Sequence, residues 1–194
     1  MNSLILDSSD KYLEVSIAVD NKIVVRTAYE CWQKQSENMI PEIDKALKEA
    51  NINPREINEV LVTLGPGSYT GVRIALTVAK VYAYALKIPC YAISSLQALE
   101  DFNKPSICLM NARSMRSYIG IYDGKNIIIS DTIKKNDEVL ELIKKYPTYQ
   151  VCGDTKYLGI EGYRNNLSET LLALKDETNK VQDIMSLKAV YLKD

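Results

Sequence analysis

The 194-residue chain contains no histidine. That excludes a Ser-His-Asp triad, a Cys-His pair and any metal site built on imidazole. General acid–base chemistry would fall to Asp, Glu, Lys, Tyr or Cys, and a carboxylate-only Mg²⁺ site remains open. Excess charge of either sign is also lacking: 24 Lys and Arg stand against 25 Asp and Glu, a net charge of -1. A whole-chain basic surface for gripping a phosphate backbone is therefore excluded, though a local patch is not. No segment approaches the roughly 18 uninterrupted apolar residues of a membrane span. The N-terminus, Met1-Asn2-Ser3-Leu4-Ile5-Leu6-Asp7, lacks the basic start and apolar core of a signal peptide. A cytoplasmic location is expected. Cysteine is sparse, and Cys31, Cys90, Cys108 and Cys152 form no Cys-x-x-Cys pair. Each is expected to be a small buried hydrophobe in a reducing compartment.

What is present is an ordinary globular composition, 46% hydrophobic and 25% charged. Its most informative stretch is Gly65-Pro66-Gly67-Ser68-Tyr69-Thr70-Gly71-Val72-Arg73-Ile74. It follows a continuous apolar run, Val60–Leu64, which reads as a buried strand, and opens a helix predicted over Thr70–Lys87. A glycine turn between strand and helix gathers backbone N–H groups and the helix dipole at one spot, a geometry suited to anions. The alternative is a tight turn whose glycines only supply positive φ. The spacing is neither a P-loop nor the dinucleotide Gly-x-Gly-x-x-Gly.

Alternation and turn residues predict strands at Leu4–Asp7, Tyr12–Val19 and Ile23–Tyr29, then a helix over Ser36–Ala50 whose start is blurred by Pro41. Strand Val60–Leu64, the glycine helix and strand Cys90–Ile93 complete the first half. The second half repeats the order in shorter form. Strands are predicted at Ile107–Met110, Tyr118–Tyr122 and Asn126–Ser130, a helix at Asp137–Lys145 and a strand at Tyr149–Cys152, with Asp123-Gly124 turning a hairpin. Two domains follow, residues 1–102 and a smaller 103–194 that includes a helical stretch at Leu167–Lys175 and the tail. Two such halves place a ligand between them. The second helix is apolar nearly all round, with Arg73, Lys80 and Lys87 on one stripe. It is either central in the domain or covers its sheet on one side and a partner on the other.

The long glycine stretch resembles the signature of the bacterial TsaB (YeaZ) family. Other pieces fall in the same order: Leu4-Ile5-Leu6-Asp7-Ser8-Ser9, Ser36-Glu37 with Met39-Ile40-Pro41, Ser94-Ser95-Leu96-Gln97-Ala98-Leu99, Asn111-Ala112-Arg113 with Tyr118, and Val190-Tyr191-Leu192-Lys193. The resemblance is dense over residues 1–123 and thin beyond. Departures are Gln35 where the family commonly has histidine, Asn111 for Asp, and Ala189 for Pro.

The resemblance implies an actin-like ATPase (ribonuclease-H-like) α/β fold with a duplicated βββαβ pattern, the second lobe reduced and the first helix running through its proline. It implies a non-catalytic subunit that binds and activates a TsaD-like threonylcarbamoyltransferase acting on tRNA. Pairing would use the first and second helices, with Met39, Ile43, Arg73, Val78 and Tyr82 as interface residues. A TsaE-like ATPase is the further partner, a homodimer is expected when the chain is alone, and tRNA is reached only through the complex. No catalytic or metal residues are expected and no cofactor is required. A degenerate phosphate site made of Asp7, Ser8, Gly65, Gly67, Ser68, Thr70 and Gly71 leaves room for weak ATP, ADP or Mg²⁺ binding. The alternative is a small Mg²⁺-dependent nucleotide-binding or hydrolysing enzyme built on Asp7 and the glycine turn.

Overall fold

The computed structural model describes residues 1–192. Strands β1 (Asn2–Asp7), β2 (Tyr12–Val19) and β3 (Lys22–Glu30) form an antiparallel meander. Helix α1 (Gln35–Glu49) crosses to β4 (Glu59–Thr63), which pairs parallel with β1. Helix α2 (Tyr69–Leu86) crosses to β5 (Cys90–Ile93), parallel with β4. The sheet order is β3-β2-β1-β4-β5. β6 (Ser106–Arg113), β7 (Arg116–Asp123) and β8 (Asn126–Lys135) form a second meander, and α3 (Asn136–Lys145) crosses to β9 (Gln150–Gly153). The second order, β8-β7-β6-β9, repeats the first without a fifth strand.

Each face of the first sheet is covered because its strands are apolar on both sides, as parallel strands with crossover helices must be. Leu4, Leu6, Val60 and Val62 pack under α1 and α2 with Met39, Ile43, Ala75 and Ala79. Ile5 and Leu61 point the other way, onto Leu167, Leu171 and Leu174 of α4 (Leu167–Leu174). The sequence groups this helix and the tail with the second half, yet both lie against the first sheet. Val181 N–H donates to Cys90 O (2.8 Å) and Val190 N–H to Leu64 O (2.8 Å), so the tail straps α2 from its C-terminal to its N-terminal end. The resembling tetrapeptide at the C-terminus ends on Lys193, which lies outside the described residues.

Helix α1 starts at Gln35 and runs through Pro41, in line with the family pattern. The proline ring is tolerated because Pro41 and Glu37, whose carbonyl loses its usual donor, both sit on the solvent side. Helix α2 stops at Lys87, which adopts the left-handed conformation (φ 55°) that closes many helices. The alternative of a central α2 is excluded: only Gly71, Val72, Ala75, Leu76, Ala79 and Ala83 are buried, a single face.

Candidate functional site

The C-terminal ends of β1 and β4 meet at a knot built from the glycine turn and Asp7-Ser8-Ser9. Asp7 is buried. Its carboxylate accepts from Thr63 Oγ1 (2.5 Å) and from Ser9 N–H (3.1 Å). Burial pushes its pKa up to about 6, against the lowering effect of those donors. Ser8 Oγ donates to Gly71 O (2.7 Å), and Ser68 N–H donates to Ser9 O (2.7 Å). Gly65 N–H is taken by Ser95 Oγ (3.0 Å) and Gly71 N–H by the helix-capping Ser68 Oγ (3.2 Å).

Glycine is required here by close approach as much as by φ. A Cβ on Gly71 would sit 2.0 Å from Ser8 O, one on Gly67 2.2 Å from Ser9 O, and one on Gly65 2.4 Å from Val190 O. Three backbone carbonyl oxygens therefore face the turn where an anion site needs donors. The structure brings Asp7, Ser8, Gly67, Ser68 and Gly71 together; Gly65 packs on the tail, and Thr70 faces away toward α1. The residues present do not fit a phosphate cradle, since the N–H groups of Gly65, Ser68 and Gly71 are committed within the protein.

Between the two sheets lies a cavity of about 310 Å³ lined by Asp7, Asp10, Tyr12, Glu14, Met110 and Arg164, among others. It is internally neutralised. The Arg26 guanidinium holds Glu14 through two contacts (3.1 and 3.0 Å), and Ser168 N–H caps the same carboxylate (3.0 Å). Arg164 stacks over the Tyr12 ring at 3.5 Å. Lys11 pairs with Asp154 across the lobes (2.7 Å). A second tie is partly buried: Asp131 accepts from Ser94 Oγ (2.5 Å) and from the Tyr122 hydroxyl. Burial raises the Asp131 pKa. Among the described residues no group of three His, Cys, Asp or Glu side chains is placed to hold a metal ion.

The third feature is the outer face of α1 and α2. Two of the expected interface residues are not on it. Met39 and Ile43 are 1% and 2% exposed and belong to the core. The spacing Met39, Ile43, Ala46, Leu47 is the stripe that faces the sheet. Arg73 is exposed, and Val78 and Tyr82 are half-buried. The exposed apolar residues outside the expected interface set are Ile40, Val81 and Tyr84, 56%, 60% and 65% exposed. The available signal was phase: Ile40 falls one step off the core stripe, and Val81 and Tyr84 fall three and six residues from Val78, opposite Ala79 and Ala83. Ile40, Ile74, Thr77 and Val78 line an open groove between the helices, with Met39 as its floor and Arg73 at its rim. No helix among the described residues is long and apolar enough to cross a membrane.

Two sheets of matching strand order, each a meander extended by a parallel strand through a crossover helix, define the actin-like, ribonuclease-H-like ATPase fold. The solved structure of YeaZ from Pseudomonas aeruginosa superposes with a TM-score of 0.82 over 98% of this chain and 99% of that one, at 22% identity. The family model for TsaD, tRNA N6-adenosine threonylcarbamoyltransferase, matches residues 30–181. The tRNA threonylcarbamoyladenosine biosynthesis protein TsaB of Bacillus subtilis is 26% identical, covering 100% of this chain and 94% of that protein. Its namesake in Buchnera aphidicola (subspecies Schizaphis graminum) is 30% identical over 74% of this chain and 71% of its own length. The chain belongs to the TsaB (YeaZ) family of tRNA threonylcarbamoyladenosine biosynthesis.

Proposed function

We propose that the chain is a non-catalytic subunit that binds a TsaD-like threonylcarbamoyltransferase through the outer face of α1 and α2 and holds it in its active arrangement. The observation that carries this reading is the apolar, solvent-facing side of α2 continued onto Ile40 of α1. Scattered exposed apolar residues are ordinary, whereas a contiguous groove of them marks an interaction surface. A partner helix pair would bury Ile74, Val78, Val81 and Tyr82. Binding energy would enter the partner's equilibrium only through its preference for one arrangement. The same face serves a homodimer when the partner is absent, and a TsaE-like ATPase joins the assembled pair. Nothing in the cleft favours the alternative of a nucleotide-hydrolysing enzyme, since Asp7 anchors its own turn and the N–H groups of Gly65 and Gly71 are taken by the hydroxyls of Ser95 and Ser68.

The test is co-purification with TsaD from the same organism, followed by light scattering. The wild type should form a heterodimer. Ile40→Glu with Val81→Glu, both at exposed positions, should weaken it by at least ~100-fold, as expected of charges forced into an apolar interface centre. No wild-type complex, or undiminished binding by the folded double variant, would sink the proposal.

A further inference from the structure

The strap that the tail lays along α2 leaves a groove of about 500 Å³ on the flank of that helix. The strap is fixed in place. Besides the Val190 bond, Lys80 Nζ donates to Met185 O (3.0 Å) and Leu187 O (3.1 Å). The Tyr191 ring stacks on Tyr69, with centroids 4.9 Å apart. Leu76 lies buried beneath the groove, and Arg73, Lys80 and Lys188 stand along it.

The charge of this groove is of one sign: those three cations line it, and no acid does. The reason is in the sequence. Helix α2 contains no Asp or Glu, and Asp183 is the only acid from Val181 to Leu192. Asp183 turns back to accept from Met185 N–H (2.9 Å). Lys80 is held by carbonyl oxygens, which orient its ammonium without cancelling its charge. Arg73 donates to the Tyr69 hydroxyl (3.0 Å), a neutral partner. Arg73 and Lys188 are exposed. Among the described residues none of the three pairs with a carboxylate. Lys193 and Asp194, which follow in sequence, bring one side-chain charge of each sign.

We propose that this groove receives a carboxylate-bearing segment of the TsaD-like partner, with Arg73 and Lys188 as the cations that meet it. The inference rests on the docking reading above and names the chemistry that extends it. Tyr69, Arg73 and Thr77 line both this groove and the apolar one between α1 and α2, so one partner can sit astride their ridge. That arrangement matches the anatomy of protein interfaces, an apolar centre within a polar rim. Rim charges steer the encounter and reject partners of the wrong sign. A nucleic acid fits less well. Tyr69 already carries Tyr191 on its ring and Arg73 at 5.2 Å from its centroid, where a base would have to stack.

The experiment titrates TsaD from the same organism with the full chain, read by biolayer interferometry at about 50 and about 300 mM salt. The wild type should bind, and more weakly at the higher salt. Lys188→Glu, at a position that lines only the strap groove, should bind at least ~10-fold more weakly at low salt and lose most of the salt dependence. Adding Arg73→Glu should weaken binding further. Lys188 is exposed, so the melting temperature of Lys188→Glu should match the wild type. Lys104→Glu, the same charge change at an exposed position in the loop before β6, is the control and should keep full affinity. No wild-type complex would sink the docking reading and this inference with it. A complex that Ile40→Glu with Val81→Glu breaks, but that Lys188→Glu leaves intact at both salts, would overturn the groove proposal alone. Equal loss in the Lys104→Glu control would do the same. A labelled tRNA transcript is the second probe. If the free chain bound it and Lys188→Glu abolished that binding with TsaD affinity unchanged, the groove would belong to nucleic acid and the proposal would be overturned.

Discussion

The two lobes share a strand order but spend it differently. The first sheet is sealed on both faces, by α1 and α2 on one side and by α4 on the other, and its strand ends are tied by the tail. The second sheet has one crossover helix, and its edge strand β8 leaves Ile127 and Ile128 57% and 46% exposed. The first lobe carries the glycine turn with three carbonyl oxygens pressed into it. The β6–β7 hairpin of the second lobe is open by contrast, its turn residue Met115 77% exposed. One topology thus yields a lobe sealed on both faces of its sheet, with an apolar outer helix face, and a thinner lobe with an open edge strand. The chemistry resides in what each sheet leaves uncovered rather than in the fold itself.

The comparison is tested most strongly at two glycines. Gly71→Ala would place a methyl 2.0 Å from the Ser8 carbonyl oxygen, where backbone must move. Overpacking of that kind should cost about 3 kcal/mol in urea denaturation. Gly124→Ala, in the β7–β8 turn, meets nothing within 4 Å, and its only penalty is φ 59°. That should cost about 1 kcal/mol. Equal costs would break the contrast between a sealed and an open lobe.

Most of the fold was legible because its strands and helices carry strong periodicity. β2 and β5 match their predicted bounds, and α2 differs by one residue at each end. The second meander was under-read. β6 and β7 run on to Arg113 and back from Arg116, a turn that Ser114-Met115 does not advertise because neither residue is the usual occupant of a left-handed site. The site was legible only in outline. Sequence shows that Met39 and Ile43 are apolar at helical spacing, but that spacing is itself what turns them toward the sheet, and the docking face falls to Ile40 and Val81. The glycines read as a phosphate cradle or as a tight turn. Only coordinates reveal that Ser8, Ser9 and Val190, distant in sequence, bring their carbonyl oxygens into that space.

The junction between the lobes offers a pH-dependent test. Glu100 is fully buried, and neither carboxylate oxygen has a hydrogen-bond partner among the described residues. Burial pushes its pKa up to about 8, with smaller contributions from Cys152 and Asp123 of the second lobe. A raised acid binds its proton more tightly folded than unfolded. Its favourable contribution is therefore complete below the ordinary glutamate pKa and is lost as pH rises toward 8. Glu100→Gln removes that loss. Measured by urea denaturation at pH 5.5 and pH 8.5, the variant should gain at least about 1 kcal/mol on the wild type between the two. A gap that does not widen would mean that the carboxylate reaches solvent at the junction, and that the lobes are less closely joined than their buried contacts indicate.

The smallest effect should come from the most visible tie between the lobes. Lys11 and Asp154 pair at 2.7 Å, yet both side chains are 26% exposed. An ion pair so open to solvent is screened and contributes under about 1 kcal/mol. The other tie places Asp131 between Ser94 Oγ and the Tyr122 hydroxyl, with Tyr122 only 1% exposed, so losing that acceptor strands a buried donor. Asp154→Ala should therefore lower stability by less than about 1 kcal/mol, and less again in 0.5 M salt, with the unfolding transition still a single step. Two separated transitions would show that the surface pair, and not the hydroxyl–carboxylate contact at Asp131 and the returning tail, makes the unlike lobes one cooperative unit.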